Sequence, residues 1–237
     1  MICWGIVFTF TVIISGCAET QPVLEKDKPI QKQAQAPKPA KAPAEAPEKE
    51  KEKADGSEEV VFSDASKDFI RQGARLAYGG STEEALAYFN KAVGSDSKAY
   101  PAYYNIGIIN EWRGDIQQAQ THYENALRIK PDYGPAIENL VNLFMRTGRL
   151  GEAKSFLNRK IAEFPKHTVA LRKLAEVYIA EGHLNDALTQ SKKVLKINET
   201  DVGAIMTLAV VYYKMKKYEL AEYALKMAKE IEPNNAD

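Results

Sequence analysis

The chain is predicted to be an all-α solenoid of five helical hairpins, and three periodic columns of residues predict it. Written in rows of 34 starting at Ser66, Tyr100, Gly134, Thr168 and Val202, it has alanine at the twentieth place of every row: Ala85, Ala119, Ala153, Ala187 and Ala221. The fifteenth place reads Gly80, Gly114, Gly148, Gly182 and then Lys216, and the thirty-second reads Ser97, Pro131, Pro165, Glu199 and Pro233. A fixed period without insertions is the mark of stacked repeats. Residues 66–235 therefore divide into 66–99, 100–133, 134–167, 168–201 and 202–235.

Two segments precede the array. Residues 1–17 hold a nearly unbroken apolar run from Gly5 to Ile14, too short to span a bilayer comfortably, and read as a signal peptide. Both cysteines, Cys3 and Cys17, lie here, so no disulfide framework or zinc site can be built downstream. Residues 18–65 carry six of the eleven prolines amid Lys, Glu, Ala and Gln, a composition that cannot bury enough to order itself, and form a disordered spacer. Val60-Val61-Phe62 is the apolar patch near its end, and docking on the first repeat is preferred to a role as a partner motif.

Within each row the columns have physical reasons. Glycine at place 15 ends the first helix in a left-handed conformation. Alanine at place 20 lets the second helix cross the first closely, where bulk would overpack. Place 8 does the same on the first helix, as Gly73, Gly107, Val141, Ala175 and Ala209, with Val141 the least comfortable. Proline at place 32 stops the second helix. Places 4, 7, 8 and 11 carry the apolar face, for example Ile137, Leu140, Val141 and Phe144 in row three. Rows three and four are looser in the second helix, with Lys160, Ser191 and Val194 in core columns.

Thirty-two basic and 32 acidic residues leave no net charge, which disfavours nucleic acid as a partner. His122, His167 and His183 fall at variable places and are expected on the surface. No nucleophile motif, phosphate-cradling glycine loop or metal spacing appears, so neither an enzyme nor a cofactor is expected.

The joint columns resemble the tetratricopeptide repeat over Ser66 to Asn235, with large residues at place 4, small ones at 8 and 20 and proline at 32. The rival RNA-binding helical repeats are disfavoured by the spacing of 34 and by the absence of basic excess. The resemblance implies a right-handed superhelix whose concave groove, lined by first helices, binds protein partners. Carried over row by row, it assigns the groove to Tyr104, Ile108, Glu111 and Trp112; Glu138, Asn142, Met145 and Arg146; Arg172, Glu176 and Ile179; Met206, Val210 and Tyr213. Ala77 and Tyr78 are the first row's counterparts. The lysines and asparagines of a carboxylate clamp are not matched: Tyr104, Ile108 and Val169 break the pattern around Asn139 and Lys173. An extended segment or helix is the expected occupant. Since Pro233 to Asp237 follows row five with no capping helix, Leu220, Ala224 and Met227 are expected to be partly exposed or covered by another subunit, as in self-association.

Ile14-Ser15-Gly16-Cys17 resembles the lipobox of bacterial lipoproteins, without the Lys or Arg that ordinarily precedes the apolar run. This implies a membrane anchor through lipidated Cys17, and Ala18-Glu19 after it favours the outer membrane, facing the periplasm. The expected function is a lipid-anchored scaffold that helps assemble or position an envelope complex of pilus, secretion or motility type. The alternative is an adaptor that regulates cell-wall enzymes or contacts peptidoglycan.

Overall fold

The computed structural model describes residues 60–232. The signal peptide with Cys17, the spacer as far as residue 59, and Pro233 lie outside the described residues. The described residues form ten α-helices in five antiparallel pairs: α1 (Asp64–Tyr78) with α2 (Thr82–Ser95), α3 (Tyr100–Arg113) with α4 (Ile116–Ile129), and α5 (Gly134–Arg146) with α6 (Leu150–Glu163). The series continues with α7 (Thr168–Glu181) and α8 (Leu184–Ile197), then α9 (Val202–Lys214) and α10 (Tyr218–Ile231). First helices approach one another along the array, α1 to α3, α5 to α7 and α7 to α9, while successive second helices make no comparable approach. The array therefore closes on the side of the first helices and fans open on the other.

The turn inside each hairpin follows the fifteenth column. Gly80, Gly114, Gly148 and Gly182 have φ between 75° and 87°, and Lys216 takes the same left-handed conformation at 60°. All five alanines of the twentieth column are buried. At place 8 the size of the residue matches the one facing it from the second helix. A β-carbon on Gly73 would stand 2.7 Å from Cε1 of Phe89, and one on Gly107 would stand 2.6 Å from Cε1 of Tyr123. Row three replaces the ring with Leu157, which leaves room for Val141, and both are fully buried. Of the two rows expected to be looser, row three has the most open hairpin of the five, whereas row four packs its two helices as closely as row five. Row four has Ser191 in the aromatic column, fully buried and satisfied by donating 3.0 Å to the Ala187 carbonyl.

Helix α1 begins at Asp64, so Asp64 and Ala65 at the end of the expected spacer are helical. Phe62 is buried, with its ring edge-on to Tyr100 at 5.8 Å, so the apolar patch does dock on the array. Asp96, at the end of α2, holds this segment by accepting the Ser63 and Lys98 amides, both at 2.8 Å, and these donors lower its pKa below the usual carboxylate value.

The expectation of three surface histidines is corrected at two of them. His167 caps α7: Nδ1 accepts the Ala170 amide at 3.2 Å while Nε2 meets the Asp132 carbonyl at 2.9 Å. His122 is half-buried against Tyr103, and burial lowers its pKa. His183 is exposed. At the far end Leu220 is 45 % exposed, but Ala224 is only 5 % exposed because it packs into α9. Tyr218, Tyr223 and Leu225 are also exposed on α10.

Candidate protein-binding groove

The residues assigned to the groove fall into two groups with different physical states. The first group, on α3, α5 and the inner face of α7, is consumed by contacts between neighbouring repeats. Tyr104 is 3 % exposed and Ile108 is 6 %, so neither is an open anchor. Tyr104 is buried because Tyr133, at the last place of row two, stands edge-on to it at 5.4 Å while Tyr123 packs on its other side at 5.9 Å. Burial, with Glu138 nearby, pushes the Tyr104 phenol up to about 12. Trp112 and Met145 are half-buried against the same core.

Charges in this part of the groove are already paired. Tyr123 donates to Glu111 Oε2 at 2.6 Å, and Arg146 pairs with the other oxygen of Glu111 at 2.7 Å. Burial and the Glu111 carboxylate both raise the Tyr123 pKa. Asn139 reaches the hydroxyls of Tyr104 and Tyr123 at 3.4 and 3.3 Å. Lys173, which the groove assignment does not contain, is the centre of a second cluster: it donates to Glu176 at 2.7 Å and Asn142 at 3.0 Å, with Glu138 at 3.6 Å. Its side chain is 6 % exposed, so three acceptors answer one buried cation.

These contacts share a spacing. Tyr104 with Asn139, Glu111 with Arg146, Asp132 with His167 and Glu138 with Lys173 are each 35 residues apart, one repeat plus one residue. That offset sets a side chain of a first helix, or of the loop before it, beside the residue one past its counterpart in the next repeat. The signal was present in the sequence and could have found Lys173.

The second group, on α7 and α9, is open. Thirty-five residues before Arg172, where Glu111 stands to Arg146 and Glu138 to Lys173, is Ile137, which offers no acid. Arg172 has no acidic partner among the described residues, and its buried Nε has no hydrogen-bond partner. Its side chain lies across Gly203, where a β-carbon would stand 2.8 Å from Cδ. Along α9 from Gly203 run Met206, Val210 and Tyr213, 44 %, 43 % and 64 % exposed, spaced as one helical stripe. Ile179 is half-buried beside them in the core between α7 and α8, and Glu176 is engaged by Lys173. The open surface thus has a cation at one end, an aromatic ring roughly 15 Å away by helical rise, and aliphatic side chains between.

A tetratricopeptide repeat model matches residues 113–159, and the model of anaphase-promoting complex, cyclosome, subunit 3 matches residues 146–228. The helical array belongs to the tetratricopeptide repeat family, a scaffold for protein interaction. The chain is 26 % identical over 147 residues to a protein O-mannosyl-transferase of Drosophila melanogaster, and 29 % identical over 138 residues to anaphase-promoting complex subunit 7 of Arabidopsis thaliana. Those matches take up 60 % and 58 % of this chain but only 16 % and 25 % of the relatives. Among solved structures it is similar in fold to PilW, a type IV pilus biogenesis factor, with a TM-score of 0.59 and 21 % identity over 72 % of this chain and 79 % of that one.

Proposed function

We propose that the protein is a non-catalytic, lipid-anchored scaffold of the bacterial envelope that captures a polypeptide segment on the α7–α9 part of its groove. The observation that carries this reading is Arg172, an unpaired cation beside the exposed stripe Met206, Val210 and Tyr213. Elsewhere in the groove each cation is answered within the array, so binding there would first have to break existing pairs. An acidic residue followed by apolar side chains at helical or extended spacing complements the open surface. Anchoring is supported by the lipobox-like run ending at Cys17, and fatty acyl burial at about 0.8 kcal/mol per CH₂ would make two chains a stable tether. The pilus biogenesis factor of like fold makes an envelope assembly role the natural first reading.

Crosslinking in whole cells tests the reading. Val210→Glu and Tyr213→Glu should abolish capture with unchanged helicity, and Arg172→Glu should weaken it; retention by all three would move the site elsewhere. Captured assembly subunits would support the scaffold role, and captured hydrolases the regulatory alternative. Cys17→Ala should release the protein from membranes, and unchanged fractionation would remove the anchor. The exposed side chains Tyr218, Tyr223 and Leu225 of α10 support self-association through that end. A species that stays monomeric in sedimentation at rising concentration would dismiss it.

A further inference from the structure

Among the described residues three helices receive a side-chain cap at their start, and the three caps answer acid differently. Ser63 caps α1, His167 caps α7 and Asp201 caps α9, accepting the amides of Ser66, Ala170 and Ala204. A serine hydroxyl does not titrate, and a carboxylate takes up a proton only near about pH 4, whereas histidine changes charge between pH 5 and 8.

The two contacts of His167 fix its state. The Ala170 amide can only donate and the Asp132 carbonyl can only accept, so Nδ1 presents a lone pair and Nε2 carries the proton. The ring is therefore neutral while both contacts last. A second proton has Nδ1 as its only place, where it would face the Ala170 N–H as one donor against another. Its uptake frees the first turn of α7, whose leading amides have no partner inside the helix.

The charged groups on the elements around His167 leave an imidazolium one place to turn. Of those groups, Lys130 lies over the Tyr100 ring, Glu138 of α5 faces Lys173, Glu163 accepts from Lys160, and Arg172 of α7 lies across Gly203. Lys166, next in the chain, is a cation and offers nothing to another. Asp132 is different: its Oδ1 is buried and accepts no hydrogen bond. It belongs to the residue whose carbonyl the ring already touches at 2.9 Å. The neutral ring satisfies the cap of α7 and leaves this costly orphan oxygen unanswered; the charged ring reverses both.

We propose that His167 is a pH-sensitive latch between repeats: neutral, it closes the start of α7 on the loop before α5, and protonated, it pairs with the Asp132 carboxylate and releases the first turn of α7. The cap is present above the range in which histidine titrates and is lost as pH falls through it. Because α7 carries both Arg172 and Lys173, the release acts on the helix that joins the two parts of the groove.

Amide hydrogen exchange of the full chain, corrected for the intrinsic pH dependence of exchange, tests it. Protection of the Ala170 amide should fall about fivefold or more between pH 7 and 5, the size of a cap lost, while Ala204, capped by Asp201, stays level. His167→Asp should keep the protection and remove its pH dependence, and Asp132→Asn should move the loss to lower pH. His122→Gln should leave the pH dependence of Ala170 intact. Nitrogen NMR of the unsubstituted chain adds a readout that needs no variant, since at pH 7 the His167 proton should sit on Nε2. A proton on Nδ1 at that pH, equal pH dependence at Ala170 and Ala204, or its persistence in His167→Asp would overturn the proposal.

Discussion

The backbone of Gly107 lies against the ring of Tyr123, so close that a β-carbon would stand 2.6 Å from Cε1. The ring fills the crossing of α3 and α4, and it cannot retreat because its hydroxyl is held by Glu111 at 2.6 Å. Gly107→Ala should therefore destabilise the protein by about 1–3 kcal/mol, despite the better helix propensity of alanine. Gly94 in α2 has nothing within 4 Å of its β-position, and Gly94→Ala should stabilise by about 0.4–1 kcal/mol. Urea denaturation of the two variants should give shifts of opposite sign.

Lys216 occupies a left-handed turn at φ 60°, where the four earlier repeats have glycine. A side chain in that conformation costs roughly 1–2 kcal/mol, so Lys216→Gly should raise the denaturation midpoint by an amount near the low end of that range. An unchanged or lower midpoint would show that the Lys216 side chain compensates for the strain.

Lys173 is the buried cation between Glu138, Asn142 and Glu176. Lys173→Met keeps the stem but leaves two half-buried carboxylates without their counter-ion, and should cost about 3 kcal/mol. Adding Glu138→Gln and Glu176→Gln should restore most of it. Failure of the triple variant to recover would show that the ammonium donates a geometry that amides cannot replace.

Folding depresses the pKa of His122 by burying it, so the folded state resists the proton that the unfolded state accepts. Its contribution to stability is full above the unfolded value near 6.5 and is lost as pH falls from there through the folded value. Tyr104 has the opposite sign: raised to about 12, it contributes fully below about 10 and loses that contribution as pH rises toward 12. Equilibrium denaturation of His122→Gln should be less sensitive to acid than the parent between pH 7 and 5. An identical pH slope would place the titration elsewhere.

The sequence by itself determined the number of repeats, their period and their turns, because each of those features is local. A left-handed residue closes each hairpin, and an alanine sits at each close crossing. The accommodation of Val141 by Leu157 could also be read from the two columns once they were set side by side. Which groove residues remain open was decided only by tertiary structure. Tyr104 and Ile108 occupy the same columns as Met206 and Val210, yet the first pair is buried and the second exposed. Exposure of a first-helix residue depends on what the next repeat brings against it. For Tyr104 that neighbourhood includes Tyr133 and Asn139; beyond α9 no sixth first helix lies against Met206 and Val210 among the described residues. Arg172 stays unpaired because the place one repeat earlier, which holds Glu111 for Arg146 and Glu138 for Lys173, is Ile137 in its case.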